Sequence, residues 1–219
     1  MTDPPDRRDP AATRKALERA ATALFAERGF DGTTTEQIAR RAGVNKAMIS
    51  YHFGGKHGLY AAILVSVFGA LGERLRVALD SGEPAPAVLD RLFAAFAGMQ
   101  REAPAVSAMI LREVLSGGRH LDERILPRFL DIFASVRETV RRGVREGTLR
   151  PVDPFLTHLT LIGSIVFFFA TTPFRERLIA EGKVPVSVPP TAEAFLGHLR
   201  EIAMRGLIAQ GDAPLRRES

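Results

Sequence analysis

The run from Thr33 to Phe53, TTTEQIARRAGVNKAMISYHF, collects hydroxyls, a carboxamide, a lysine, a tyrosine and a histidine in one short stretch. Hydroxyls and amides donate to phosphate oxygens, and a lysine donates to phosphate or to guanine O6 and N7. The chemistry on offer is recognition of duplex nucleic acid, with no bond made or broken. Catalytic alternatives lack their parts. The chain has no cysteine, which excludes disulfides, thiolate catalysis and Cys-ligated zinc. There is no Gly-rich phosphate loop and no nucleophile motif. The five histidines, His52, His57, His120, His158 and His198, form no H-x-x-x-H pair. The expectation is no enzyme, no cofactor and no metal.

Two short helices must hold these groups. Thr34 and Gln37 stand at capping-box spacing, in which each side chain satisfies a backbone N–H of the helix start. Ile38, Ala39 and Ala42 give a short apolar face. Gly43 tolerates the left-handed conformation that ends a helix and turns the chain. Val44 can fill the corner, and Asn45 is a good N-cap for the second helix. There Ile49 and Phe53, four apart, face inward and leave Lys46, Ala47, Ser50 and Tyr51 outside. This is the helix-turn-helix pattern, whose second helix lies in the DNA major groove. Ordinary helical hairpins share the spacing, so the flanks decide. Upstream, Arg14 to Gly29 carries Leu17, Ala20, Ala21, Leu24 and Phe25 on one helical face. Downstream, Gly54-Gly55 breaks the chain, Lys56 opens another helix, and Leu59, Ile63, Val67 and Leu71 recur every fourth residue.

The whole stretch GFDGTTTEQIARRAGVNKAMISYHFGGKHGLY resembles the DNA-binding domain of the tetracycline-repressor (TetR) family. The resemblance rests on Gly29-Phe30, Thr33-Thr34, Ile38-Ala39, Ala42-Gly43-Val44, the Tyr51-His52-Phe53 cluster, and Lys56 with Leu59. Beyond these, the chain is similar only in length and helical character. The resemblance implies an all-α protein: an N-terminal three-helix helix-turn-helix domain joined to a larger helical ligand-binding and dimerisation domain. Members of the family read bases with the second helix of the motif, which implicates Lys46, Ala47, Met48 and Tyr51. Thr34, Thr35, Tyr51, His52 and Lys56 match positions that hold the phosphate backbone. Asn45 and Ser50 share that surface. His52 fits a helix-end cap equally well, and Tyr51 can also simply pack with its hydroxyl in water. Ser50 stands where relatives often carry an aromatic residue, so Tyr51 is the only large aromatic on the outer face.

The expected divisions are an arm at 1–12, the DNA-binding domain at 13–60, a connecting helix at 61–80, the ligand-binding and dimerisation domain at 81–210, and a tail at 211–219. Arm and tail are expected to be disordered, with Arg7 and Arg8 as candidates for the minor groove. In the body, helices are expected over Ala85 to Arg101, Ala105 to Leu115 and Leu121 to Glu146, with Pro and Gly clusters at the joints. Leu156 to Ala170, LTHLTLIGSIVFFFA, is apolar nearly all round. It is shorter than the ~20 residues of a membrane span and contains His158, so it reads as a buried core helix. Such a helix needs partners on every side, and one of them can belong to a second subunit. Family members dimerise through their last two long helices, a place occupied here by Leu156–Ala170 and Thr191–Ile208. A homodimer would set two reading helices about 34 Å apart on a palindrome.

The resemblance also implies a small-molecule cavity in the body. Met99, Met109, Phe129, Phe133 and Phe167 are candidate lining, with Arg112, Glu113 or His158 as polar contacts; plain core packing competes for each. The net charge is +5, and residues 1–60 hold ten Lys/Arg against seven acids. That balance permits nucleic-acid binding without demonstrating it. A polar, acidic N-terminus gives no secretory signal, which points to the cytoplasm. The expected function is a repressor that binds a palindromic operator as a homodimer and is released by a small molecule. The alternatives are a DNA-binding protein without such control, architectural or partner-recruiting, or an activator.

Overall fold

Asp9 accepts a hydrogen bond from the amide of Ala11 at 3.0 Å, and Pro10 takes the first helical position, where its missing N–H leaves nothing unsatisfied. These two residues start α1 (Pro10–Arg28). Residues 10–12 therefore belong to the helix and not to the expected arm. The computed structural model describes residues 9–186 and 188–209. Arg7, Arg8 and the expected tail at 211–219 lie outside the described residues.

Next come α2 (Thr35–Ala42) and α3 (Ala47–Phe53). Both halves of the capping box are present. The Gln37 amide donates to Thr34 Oγ1 at 3.2 Å and the Thr34 amide to Gln37 Oε1 at 3.0 Å. Gly43 turns the chain at φ 64°, a conformation that costs other residues more than glycine. Asn45 Oδ1 accepts from the amide of Ala47 at 2.8 Å, the N-capping bond its position called for. The fourth helix, α4 (Lys56–Asp80), runs unbroken across the boundary drawn at residues 60 and 61. A Cβ on Gly58 would lie 1.7 Å from the carbonyl oxygen of Phe53. Only glycine lets α4 start this close to the end of α3.

The body is α5 (Ala85–Glu102), α6 (Val106–Leu115), α7 (Leu126–Arg145), α8 (Pro154–Ala170), α9 (Thr172–Ala180) and α10 (Ala192–Leu207). Among the described residues only the isolated bridge Leu149–Ile208 pairs in β fashion. The helix expected from Leu121 starts at Leu126 instead. Asp122 Oδ1 accepts from the amides of Arg124 and Ile125 at 3.0 and 3.2 Å, which makes a turn there. Because α4 packs against α1, α3, α5 and α7, one apolar core runs from Leu17, Phe25, Ile38 and Ile49 in the head to Val136, Leu161 and Ile165 in the body. Each such fully buried side chain contributes about 1.5–3 kcal/mol.

One prediction of the sequence needs revision. Of α8 only Thr157, Leu161 and Ile165 are buried within the chain. Leu156 is 61% and Phe167 62% exposed, with Phe155 and Leu159 also open. The reading as a buried core helix fails for a single chain, because neighbours cover one side of α8 alone. No single helix among the described residues is long and apolar enough to cross a membrane, although α8 and α9, bent by 54°, pass that test as a pair.

Head and body meet at a buried carboxylate. Glu113 of α6, 4% exposed, accepts from the Tyr60 hydroxyl at 2.9 Å and the His120 amide at 2.7 Å, and its Oε2 lies 3.0 Å from His120 Nδ1. The His120 ring faces Phe30 at 4.3 Å between centroids and Asp31 at 3.4 Å. Burial pushes the Glu113 carboxyl up, but the bonds from His120 and Tyr60 outweigh it, and the net displacement is downward. Burial, then Glu113 itself, pushes the Tyr60 phenol up. A depressed carboxyl stabilises the fold above its ordinary value of 4.5, and that stability is lost as pH falls through the folded value. Glu113→Gln is therefore expected to lower Tm at pH 7, with the gap to the wild type closing in melts taken progressively below pH 4.5.

Candidate nucleic-acid interface

The face that α3 turns to solvent is set by Ile49, which anchors the helix at 1% exposure. Tyr51 stands 77% exposed on the opposite side, its ring edge-on to His52 at 4.9 Å. Asn45, Lys46, Ala47 and Ser50 are exposed beside it. Met48 is half-buried and packs against the core, which leaves only part of its side chain for the expected contact with a base. His52 is half-buried too, and its carbonyl accepts from Arg14 at 3.4 Å.

The expected phosphate ligands divide into two sorts. Thr34 Oγ1 accepts the capping-box bond from the Gln37 amide, and the side chain is exposed. Thr35 donates to Glu36 Oε2 at 3.2 Å. Lys56 is different. Its ammonium donates to the carbonyls of Phe30 at 3.0 Å and Thr33 at 2.9 Å, and lies 4.1 Å from the Phe30 ring centroid. Two of its three N–H donors are thus held by backbone, and the side chain staples the link between α1 and α2 to the start of α4. Lys56→Met is expected to destabilise the protein by about 2 kcal/mol through the lost charge-assisted bonds. The check is a Tm lowered by roughly 5 °C.

Sequence reasoning missed a charge on this face. Lys46 pairs with Glu36 across the two helices, and that hydrogen bond above all draws the Glu36 carboxyl down to about 2. The pair is fully exposed and therefore weak. Lys46 reaches a base only by leaving Glu36. No spacing rule signals such a pair, since it depends on the crossing of α2 over α3.

Behind the head lies a cavity of about 1340 Å³. Its walls include the last turn of α1 (Ala26, Glu27), α6 (Ala108, Arg112), and the facing ends of α8 and α10 (Phe168, Leu196). Of the expected ligand contacts only Arg112 borders it. Met99 and Met109 are buried in the core. Phe129 meets Phe68 at 5.7 Å, Phe133 meets His158 at 5.1 Å, and Phe167 points to solvent on α8. Burial lowers the pKa of His158, whose Nδ1 has no hydrogen-bond partner among the described residues. Helical periodicity told which faces are apolar, but the cavity forms where helix ends diverge, and that depends on how the helices cross.

A short helix with an exposed reading face, mounted on a helical body, defines a DNA-binding transcriptional regulator, and the family comparisons agree. The family model described as "Bacterial regulatory proteins, tetR family" matches residues 18–63, and "Tetracyclin repressor-like, C-terminal domain" matches residues 86–182. The chain belongs to the tetR family. It is 29% identical over 144 residues to the transcriptional regulator RutR of Escherichia coli K12, covering 66% of this chain and 68% of that protein. It is 27% identical over 199 residues to the transcriptional repressor NicS of Pseudomonas putida, covering 89% and 92%. Among solved structures, a mutant of HlyIIR with a linker containing two thrombin sites is similar with a TM-score of 0.67 and 26% identity, over 92% of this chain and 100% of that one. PfmR from Thermus thermophilus follows at 0.65 and 25%, over 88% and 98%.

Proposed function

We propose that the chain is a cytoplasmic repressor that binds a palindromic operator as a homodimer and releases it when a small molecule fills the large cavity. The carrying observation is the position of that cavity. Its wall includes Ala26 and Glu27 of α1, a helix of the reading head, together with Arg112 of the body. An occupant therefore touches both parts and can favour one placement of the head over another, which is the differential contact that ligand control requires. Dimerisation is supported by the uncovered apolar residues of α8, Leu156, Leu159 and Phe167, with Ile202 of α10. A surface of this kind on two neighbouring helices marks an interaction site, and a two-fold contact would place it against its own copy.

Tyr51, Lys46, Ala47 and Ser50 would read bases, with Asn45, Thr34, Thr35 and His52 on the backbone. Selecting bound sequences from random DNA tests the reading. The expected outcome is one inverted repeat whose half-sites sit about a helical turn apart. A single unrepeated site, or no enrichment, would refute it. Adding a metabolite library to the selected complex then separates ligand control from simple DNA binding.

A further inference from the structure

Arg112 belongs to the cavity wall and is already engaged. Its Nε donates to the carbonyl of Ala26 at 2.8 Å and its Nη2 to that of Glu27 at 2.9 Å. These carbonyls lie in the last turn of α1, where helix geometry supplies no amide partner, and a cation there also meets the negative end of the helix dipole. Donor and both acceptors border the cavity. The bond tying the body to α1 is thus part of the binding-site wall.

The chemistry of that bond says what would break it. A guanidinium fork fits a carboxylate with two parallel hydrogen bonds, and an anionic acceptor adds a Coulomb attraction to the cation that a neutral carbonyl lacks. A carboxylate beside Arg112 would win it from two neutral carbonyls. The remaining wall is largely apolar, with Ala108, Leu111, Phe168, Phe169 and Leu196. Two further arginines, Arg101 and Arg175, stand on it. Arg175 is half-buried, and its guanidinium lies 3.9 Å from the Phe168 ring centroid. Of the three acids on the wall, Glu27 is paired with Arg41 at 2.8 Å, and Glu176 and Glu193 are exposed to solvent.

We propose that the effector of this cavity is an amphipathic carboxylate whose anionic end draws Arg112 off the carbonyls of Ala26 and Glu27 and so frees α1 from the body. This rests on the ligand control proposed above and names both the ligand class and the bond it acts on. The free acid of a medium-length alkyl chain meets both requirements, while the matching alcohol lacks the charge and the matching quaternary ammonium reverses it.

The test uses the full chain on its selected operator, with decanoate, 1-decanol and decyltrimethylammonium as probes. Decanoate is expected to weaken operator binding by about tenfold, within the usual range of allosteric coupling, while the other two leave it unchanged. Arg112→Gln is expected to bind the operator more weakly without any probe and to ignore decanoate. Arg112→Lys, which keeps the charge but not the two-pronged fork, should fall between. Arg112 is exposed, but Arg112→Gln gives up two bonds to α1, so its Tm is expected to fall by a few degrees, and a single cooperative melting transition in both variants checks that they fold. Equal release by decanol, or a full decanoate response in Arg112→Gln, would overturn the role of Arg112. Absence of decanoate uptake in calorimetry, as when a second copy fills the cavity, would overturn the ligand class. Should a library compound of other chemistry release the operator while decanoate fails, ligand control would stand and the carboxylate would not. Should no compound release it and Arg112→Gln bind as wild type, both would fall.

Discussion

A glutamate at Leu159 is expected to leave the chain monomeric at micromolar concentration and to weaken operator binding by 100-fold or more. Leu159 lies on the uncovered side of α8 together with Leu156 and Phe167. In a two-fold interface each substitution occurs twice, face to face with its own copy. Burying an unpaired carboxylate has an effective cost of several kcal/mol per ion, and even about 3 kcal/mol exceeds a hundredfold in an equilibrium constant. A monomer also loses the second half-site. The fold itself should hardly notice, because Leu159 is half exposed within the chain. Sedimentation velocity and operator titration together check this. A Leu159→Glu protein that sediments as a dimer and binds normally would move the interface elsewhere.

Tyr51→Ala should weaken specific binding by about 1–3 kcal/mol, some five- to 150-fold, while Tm stays unchanged. The side chain is 77% exposed and its nearest ring neighbour is His52. Nothing in the core depends on it, so a loss of affinity would report the interface alone. Tyr51→Phe divides the effect between hydroxyl and ring: loss confined to the hydroxyl points to a phosphate bond, and loss confined to the ring points to apolar contact. Operator affinity of Tyr51→Ala equal to wild type would show that this face of α3 does not meet DNA.

The reading head was legible because its determinants are local. The bonds of Thr34 and Gln37 span three residues, and the left-handed turn at Gly43 and the cap at Asn45 act on their own neighbours. The inward direction of Ile49 follows from helical period alone. The same local rules failed where a partner from far along the chain decides. Lys56 matches a phosphate-holding position, and its ammonium also reaches carbonyls 23 and 26 residues away. Lys46, expected at a base, also shares its charge with Glu36, ten residues upstream on the neighbouring helix. Helix α9 was overlooked because its short run after Thr171 carries no buried face to give a period.

Sequence alone determined most of the helices, the glycine turn and the side of α3 that faces outward, since these depend on capping, backbone freedom and a periodicity of three to four residues. Tertiary structure alone decided where the cavity opens, that Arg112 closes on α1 from 85 and 86 residues away, and that α8 keeps an uncovered apolar side. Those features arise from the angles at which helices cross. Such angles are set by the fit of many side chains at once, which no local pattern encodes.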